Sequence, residues 1–302
     1  MKRNFTVKAL FLSAAIAVAS LVNKTNAQVE FGFIGGLNMA NMKASGYKLV
    51  PDSARPTFSG ITRYRVGIFA DMPLNNYFSL NPELAYSVKG SVQRLDTTAS
   101  AIDFSGPPIA YTEKNVSVSN FDLGYIELPV LFRFSTPLGR PSAMYPFENS
   151  VKPFYLDIFA GPYFGFLLMP KNESSTTITR SSDNDTSEAY NFSTKVKSNG
   201  TITQIGKIDY GAVAGLGFKW RFNRKSYLYL DVRYTMGFAN LNKGYWDRIV
   251  ADQSDPDPLK WKVVVESPKI KNTGTLTFSL GFITNFSKRR YFNLYKEDRN
   301  RP

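Results

Sequence analysis

The stretch that decides the fold is KIDYGAVAGLGFKWRFNRKSYLYLDVRYTMGF, residues 207–238. From Ile208 to Phe222 every second residue is apolar, and the positions between them carry mostly Asp, Gly, Lys and Arg. The alternation resumes at Ser226, after only Asn223-Arg224-Lys225. A period of two predicts strands with two unlike faces, and so short a link predicts that the two strands form an antiparallel hairpin.

The same alternation recurs along the chain and predicts eight strands, at about 29–39, 64–72, 78–89, 122–134, 153–168, 207–222, 226–238 and 273–286. Long polar segments, which we interpret as loops, alternate with much tighter links; the long ones are 40–63, 90–120, 169–206 and 239–272. Outer-membrane β-barrels show this alternation, with short turns in the periplasm and long loops outside the cell. Residues 135–152 are too long for a minimal turn, so we expect a partly ordered periplasmic element there. An even strand count places both chain ends in the periplasm.

The two faces of the predicted strands differ in volume. One carries Phe, Leu, Ile, Tyr and Trp, whereas the other is rich in Gly, Ser and Thr among charged residues. The interior of an eight-stranded barrel is just wide enough for side chains to fill, so the glycine-bearing face is expected inside. A soluble lipocalin-like barrel with its apolar face inward is the alternative. The volume argument predicts an all-β protein, an eight-stranded antiparallel up-and-down transmembrane β-barrel.

The N-terminus has the pattern of a secretory signal peptide. Lys2, Arg3 and Lys8 precede an apolar run at residues 9–22, and small residues follow near Ala27. An uncleaved membrane anchor is the alternative, but this run is shorter than the roughly 20 residues that a spanning helix needs. We expect cleavage between Ala27 and Gln28. The predicted organisation is a signal peptide at 1–27, a barrel at 28–286 and a basic periplasmic tail at 287–302.

The composition excludes several classes of function. The chain has no cysteine and no histidine, which excludes disulfides, thiolate metal sites, Ser-His-Asp triads and imidazole metal ligands. The formal net charge is +13, but a secreted chain without a nucleic-acid-binding motif is not expected to bind nucleic acid. Anionic lipid headgroups or an acidic partner fit the basic charge better.

The predicted inward faces carry seven acids and six bases, which we expect to pair because unpaired charges in a narrow lumen are costly. They are Glu30, Asp71, Glu83, Glu127, Asp157, Asp209 and Asp231, with Arg65, Lys89, Arg133, Lys219, Arg221 and Arg233. The alternatives are a charged conduit and a catalytic carboxylate pair, although the sequence fixes no acid pair at the separation that glycoside hydrolysis needs. We predict a lumenal ion-pair network that fills the barrel.

Two patterns in the predicted loops are candidate sites. Four aspartates lie between residues 247 and 257, but their spacing lacks the glycine and distal glutamate of an EF-hand. We therefore expect solvated charge and no metal site. Asp52-Ser53-Ala54 and Asp96-Thr97-Thr98 match the acid-hydroxyl-small pattern of O-glycosylation in Bacteroidota, so Ser53 and Thr97 are candidate modification sites.

Several strand sequences resemble the PorT-type outer-membrane β-barrel family of Bacteroidota. They are GFIGGLN at 32–38, YIELPVLF at 125–132, the stretch from DYG at 209–211 to Gly217, and LDVRY at 230–234. Tyr125, Glu127 and Pro129 are the most specific part of the match. The resemblance implies an eight-stranded barrel, and the founding members of that family belong to the type IX secretion machinery. The long loops and the basic tail depart from the family pattern.

These observations predict a non-enzymatic integral outer-membrane protein without a cofactor. Its barrel is expected to be closed, with long extracellular loops that bind a ligand or dock to a larger outer-membrane complex. Two alternatives remain open, an accessory subunit of type IX secretion or barrel assembly and a small solute pore. The expected partners are outer-membrane lipid and other outer-membrane or periplasmic proteins.

Overall fold

The computed structural model describes residues 29–46, 48, 55–75, 77–104, 108–138, 154–182, 192–222, 226–252 and 262–284. Several predicted features lie outside these residues. They are the signal peptide, its cleavage site at Ala27 and Gln28, the candidate modification site Ser53, most of the expected element at 135–152, and the tail at 287–302.

The described chain consists of β-strands joined by turns and short irregular segments. The strands are β1 (Glu30–Ser45), β2 (Thr57–Ser59), β3 (Ile61–Pro73), β4 (Phe78–Asp103), β5 (Ile109–Leu138), β6 (Phe154–Ser181), β7 (Phe192–Thr201), β8 (Ile208–Arg221), β9 (Ser226–Gly237), β10 (Arg248–Asp252), β11 (Lys262–Glu266) and β12 (Lys269–Thr284). Among the residues described, no helix is long and apolar enough to cross a membrane.

Eight of these strands form a closed antiparallel ring in the order β1-β3-β4-β5-β6-β8-β9-β12. The first and last strands close it, since Phe31 pairs with Thr284 and Met39 with Leu276. Each ring strand pairs with the ring strand that follows it in the chain, which is an up-and-down barrel. The predicted fold class is confirmed. We call the end with the β3–β4 turn the short-turn end, and the opposite end, where β4, β5 and β6 extend furthest, the long-hairpin end.

The four segments interpreted as long loops contain much more strand than expected. Within 90–120, β4 continues to Asp103 and β5 begins at Ile109, and the two pair as far as Asp103 with Ile109. Within 169–206, β6 continues to Ser181 and pairs with β7. The segment 40–63 includes the end of β1 and all of β2, and 239–272 includes the β10–β11 hairpin. The loop prediction was therefore wrong for most of these residues.

The strands were missed because both of their faces are polar. In the lipid-facing part of a barrel one face is apolar, which gives the contrast that marks a strand in the sequence. Beyond it both faces can meet water, and the hydrogen-bonded ladder alone supports the strand. The β6 run Ser174-Ser175-Thr176-Thr177 shows this, since all four side chains are hydroxylic and the run lies within the β5–β6 ladder.

The outer surface of the ring is apolar and the inner surface polar. Phe33, Phe132 and Ile208 are at least 60% exposed on the outside. Along β1 the exposed Phe31, Phe33, Leu37 and Met39 alternate with inward residues that include Asn38, which is fully buried. This is the arrangement expected of a barrel surrounded by hydrocarbon.

Aromatic rings also fill the lumen, beside the charged and small residues. The fully or nearly fully buried rings are Phe69, Tyr125, Phe159, Tyr163 and Tyr229. Glycines on neighbouring strands make room for them. A Cβ on Gly32 would lie 2.6 Å from Phe69 Cε1, and one on Gly215 would lie 2.6 Å from Phe159 Cζ. Gly32 and Gly215 are thus matched to large rings beside them.

This match predicts that Gly32→Ala destabilises the barrel by about 1–3 kcal/mol, the usual cost of overpacking. The Phe69 ring has little freedom to move away, because it packs against Tyr229 with ring centres 6.1 Å apart and against the Arg133 guanidinium at 5.9 Å. Reversible urea unfolding in lipid vesicles measures the effect. Gly35→Ala is the matched control, since Gly35 is exposed and the nearest atom to its Cβ would be 3.9 Å away. Equal stability of the two variants would contradict the expectation.

Candidate functional site

The lumen holds layers of buried ion pairs, and the first layer lies toward the short-turn end. Arg133 lies 3.3 Å from Asp71 and 3.5 Å from Asp157. Lys219 lies 3.0 Å from Asp71 and 3.3 Å from Asp157. All four side chains are less than a tenth exposed. The layer is neutral because it holds two bases and two acids. Each base contacts both acids, so the charges are shared.

A second layer is centred on Glu83. Glu83 Oε2 accepts hydrogen bonds from Arg65 at 2.6 Å and from Arg233 at 2.7 Å. Arg233 also pairs with Asp231, two residues earlier on the same strand. Arg65 and Glu83 lie on the neighbouring strands β3 and β4, whereas Arg233 on β9 reaches Glu83 across the lumen.

A third layer lies closer to the long-hairpin end. Lys89 pairs with Glu127 and lies 3.8 Å from Asp209. The Tyr163 hydroxyl donates a 2.9 Å hydrogen bond to Asp209. Arg65 lies 3.8 Å from Glu127 and so links this layer to the second.

The two remaining predicted lumen residues lie at the short-turn end. Glu30 is half-buried and, with Asp71 and Lys219, lines a cavity of about 150 Å³. Arg221 is buried and its guanidinium lies 5.6 Å from the centre of the Tyr227 ring. All thirteen predicted side chains thus point inward, and ion pairs join eleven of them in the three layers.

The aromatic rings of the lumen contact the charged layers directly. The Arg133 guanidinium lies 4.8 Å from the centre of the Tyr229 ring, and Lys89 Nζ lies 4.5 Å from that of Tyr163. Arg233 lies 5.3 Å from the Phe159 ring. Such cation–π contacts are stronger when the cation is desolvated. The sequence signal for these rings is their position on the inward-facing side of the strand alternation.

Above the charged layers, an apolar cap closes the long-hairpin end. We define the cap as residues 202–206 and 238–247, which fold into the mouth of the ring. Ile202, Leu241 and Trp246 are at most 3% exposed and belong to one buried cluster with Phe121 and Tyr125 of the barrel wall. The two parts of the cap meet in a bridge between Ile205 and Asn242.

Asn242 holds the cap in shape through its side-chain amide. Its Oδ1 accepts hydrogen bonds from the backbone N–H of Gly244 at 3.0 Å and of Trp246 at 3.2 Å. Its Nδ2 donates to the Pro268 carbonyl and to Asp247 Oδ1, both at 2.9 Å. The turn needs Gly244, whose φ of +117° is a conformation that side-chain-bearing residues rarely adopt.

A four-stranded sheet projects beyond the cap. This projecting sheet comprises β4 after residue 90, β5 before residue 122, β6 after residue 170, and β7. On its inner face Arg180 forms an ion pair of 2.7 Å with Glu113 and lies 4.7 Å from the Tyr111 ring. Hydrogen bonds from Arg180 and Asn115 hold the pKa of Glu113 below its ordinary value. This pair joins β5 to β6 within the projecting sheet.

Where the projecting sheet meets the cap, a cavity of about 250 Å³ opens. We call it the cup, and its lining residues are Gln93, Leu95, Ser117, Ser119, Tyr245, Trp246 and Asp247. The Trp246 indole donates a 3.2 Å hydrogen bond to Gln93 Oε1. Asn172 donates a 2.9 Å hydrogen bond to the Tyr245 hydroxyl, whose pKa is raised by burial. Trp246 is thus held by Gln93, another lining residue, and Tyr245 by Asn172, which lies outside the cavity.

Two other predicted features lie at this end. Thr97 is exposed but lies on β4 rather than in a loop, and its hydroxyl donates to the Asn115 carbonyl at 3.4 Å. Asp247 is the member of the aspartate group whose side chain is described, and it binds Asn242. Among the described residues, no group of three or more His, Cys, Asp or Glu side chains is placed to hold a metal ion.

The family described as outer membrane protein beta-barrel domain matches residues 23–243. The chain belongs to this family. The match includes β1 to β9, all three charged layers and most of the cap, while β12, which closes the ring, follows it. Among curated proteins, no sequence matches this chain.

Solved structures similar to this outer-membrane barrel include three other outer-membrane proteins. The attachment invasion locus protein Ail of Yersinia pestis is 11% identical, with a TM-score of 0.29, and the match covers 85% of this chain and 99% of Ail. OprG from Pseudomonas aeruginosa is 11% identical with a TM-score of 0.34, covering 86% and 97% of the two chains. The Escherichia coli outer membrane protease OmpT is 8% identical with a TM-score of 0.32, covering 88% and 100%.

Because the chain belongs to an outer-membrane barrel family, its apolar outer surface is the surface that contacts membrane lipid. In a bacterial outer membrane the exposed Phe, Leu and Ile side chains face lipid, and the charged layers lie within the bilayer but away from hydrocarbon. The cap, the cup and the projecting sheet lie beyond the lipid-facing part of the strands, at the long-hairpin end.

Proposed function

We propose that this outer-membrane barrel is a closed, non-enzymatic support whose projecting sheet binds other molecules outside the cell and docks the protein to a larger outer-membrane complex. The observation that carries the proposal is the filled lumen. Three layers of ion pairs and their aromatic neighbours occupy its interior, and the cap covers them at one end. A filled lumen leaves the surfaces outside the membrane as the place for recognition.

The orientation of the barrel supports this role. In outer-membrane barrels the short turns face the periplasm, so the projecting sheet is on the outer side and both chain ends are in the periplasm. The predicted signal peptide at 1–27 agrees with export of the chain. Non-enzymatic function is supported by the absence of histidine and cysteine from the sequence and by the pairing of the lumenal acids with bases.

An accessory role in type IX secretion or barrel assembly is a second candidate, supported by the resemblance of residues 125–132 to PorT-type barrels of Bacteroidota. In the structure Tyr125 is fully buried and Glu127 pairs with Lys89. Those residues therefore help to fill the lumen, and contact with a machine would fall to surfaces such as the tail at 287–302.

The closed lumen predicts that the purified protein forms no steady open channel in planar bilayers. The experiment compares the natural protein with Arg233→Ala, which removes a member of the second layer, and with Arg94→Ala as a control. Arg94 pairs with Asp96 in the projecting sheet, where both side chains are about half exposed. A stable conductance of the natural protein that changes in Arg233→Ala alone would establish a solute pore and overturn the proposal.

The binding role is tested by affinity purification from mild detergent with partner identification. One variant replaces residues 96–116 with Asn-Gly, which shortens the β4–β5 hairpin, and a second lacks residues 288–302. Loss of partners in the first variant alone supports docking through the projecting sheet. Loss in the second alone supports the accessory role, and an unchanged partner set in both contradicts the two candidates.

A further inference from the structure

We infer that the cup binds a neutral saccharide unit. This inference rests on the proposed outward-facing binding role and names the ligand class of that surface. The first argument is size. At about 250 Å³, the cup lies just below the range of about 300–1,000 Å³ that is typical of pockets for drug-sized ligands, so it suits one sugar ring rather than an extended molecule.

The hydrogen-bonding groups of the cup are mixed, which favours a ligand with hydroxyl groups. Since Gln93 Oε1 accepts from the Trp246 indole, the Gln93 amide NH₂ is left to donate. The Ser117 hydroxyl accepts a 3.2 Å hydrogen bond from Thr176 and keeps its own proton to donate. Ser119 adds a hydroxyl that can do both. Each hydroxyl of a sugar both donates and accepts, so it can satisfy any of these groups.

The charge in the cup argues for a neutral ligand. Asp247 is the one ionisable acid among the lining residues, and no Lys or Arg is among them. A carboxylate without a base in the lining repels an anionic sugar. Its Oδ1 is already occupied by Asn242, which leaves Oδ2 to accept from a ligand hydroxyl in a charge-assisted hydrogen bond.

Tyr245 supplies the apolar contact that a sugar ring needs. Its ring is 37% exposed. It meets Phe121 and Trp246 nearly at right angles, with ring centres 5.8 Å and 5.0 Å apart and angles of 88° and 78°. The Asn172 hydrogen bond fixes its hydroxyl. A ring held on three sides is pre-organised, which lowers the cost of binding.

The test measures binding of free glucose, galactose, mannose and N-acetylglucosamine, and of their short oligomers, to the full-length protein in detergent by ligand-observed NMR and calorimetry. We expect at least one of these neutral sugars to bind. Tyr245→Ala and Asp247→Asn should each weaken that binding about tenfold or more. Tyr245→Phe keeps the ring but loses the hydrogen bond from Asn172, so it should weaken binding less than Tyr245→Ala does.

Lys243→Ala is the control, because Lys243 is exposed on the same turn and does not line the cup. Thermal unfolding of every variant shows whether the fold is intact. Absence of binding to all of these sugars, or equal binding by Tyr245→Ala and the natural protein, overturns the inference. Sulfated and phosphorylated forms of the same sugars are measured as well, and preference for them also overturns the inference. The docking role is tested separately, by the partner set of the shortened-hairpin variant, which retains the cup residues. A negative result for sugar binding therefore leaves the docking role untouched.

Discussion

Replacement of Arg133 by methionine is expected to destabilise the folded barrel by about 3–5 kcal/mol, the cost of leaving buried charges without their partner. Arg133 is completely buried and pairs with both Asp71 and Asp157. Methionine replaces the apolar stem of the arginine side chain but carries no charge, so Asp71 and Asp157 would be left with Lys219 alone. The lost cation–π contact with Tyr229 adds to the effect.

The free energy of unfolding in urea, measured in lipid vesicles, tests this expectation. Arg63→Met is the matched control, because Arg63 forms an ion pair with Asp122 at 2.6 Å whose side chains are 29% and 32% exposed. Exposed pairs contribute about 0–1 kcal/mol. If Arg133→Met costs no more than Arg63→Met, the lumenal layers do not stabilise the barrel.

Asn242→Ala is expected to open the cap locally while the barrel remains folded. The side chain forms four hydrogen bonds, two of them accepted from the backbone N–H groups of Gly244 and Trp246. At about 0.5–1.5 kcal/mol for each of the four bonds, the variant should lose about 2–6 kcal/mol of local stability. That loss corresponds to amide hydrogen exchange about 30-fold to 25,000-fold faster within the cap.

The readout is exchange at the amides of Gly244 and Trp246, compared with an amide of the barrel wall such as that of Leu216. Asn199→Ala is the control, since Asn199 lies on the exposed strand β7 and the described contacts give its side chain no hydrogen bond. Asn242→Asp distinguishes the role of the side-chain oxygen from that of the side-chain NH₂ group. It keeps the oxygen that accepts from Gly244 and Trp246 but places a negative charge beside Asp247, so an intermediate rate is expected. Unchanged exchange in Asn242→Ala would show that apolar packing alone holds the cap.

The sequence was most informative where lipid contacts the strands. Hydrocarbon on one side of a strand requires apolar residues at every second position, which is why the strand at 207–222 could be predicted. The inward direction of Asp209, Lys219 and Arg221 followed because they occupy the positions between those apolar residues. The strand pairings followed because up-and-down order places neighbours in the chain next to each other.

The full set of charge pairs could not be predicted, because several of the lumenal pairs join strands that are not neighbours. Arg233 on β9 reaches Glu83 on β4, and Arg133 on β5 reaches Asp71 on β3. Such contacts depend on the stagger of strands around the ring. The cap was missed for another reason: Leu241 and Trp246 lie in a segment without periodicity, and only tertiary contacts with Phe121 and Tyr125 show that it folds inward.

The paired charges also constrain how the protein reaches its membrane. A separate β9 hairpin would bring Arg233 into hydrocarbon with Asp231 of its own strand but without Glu83, and an arginine at the bilayer midplane costs about 2–4 kcal/mol. Glu83 lies on β4, so it arrives only when distant parts of the chain come together. Stepwise insertion of single hairpins is therefore opposed wherever a buried pair joins distant strands. Association of the strands before they meet the acyl chains avoids this cost, so we expect insertion to be coupled to closure of the ring.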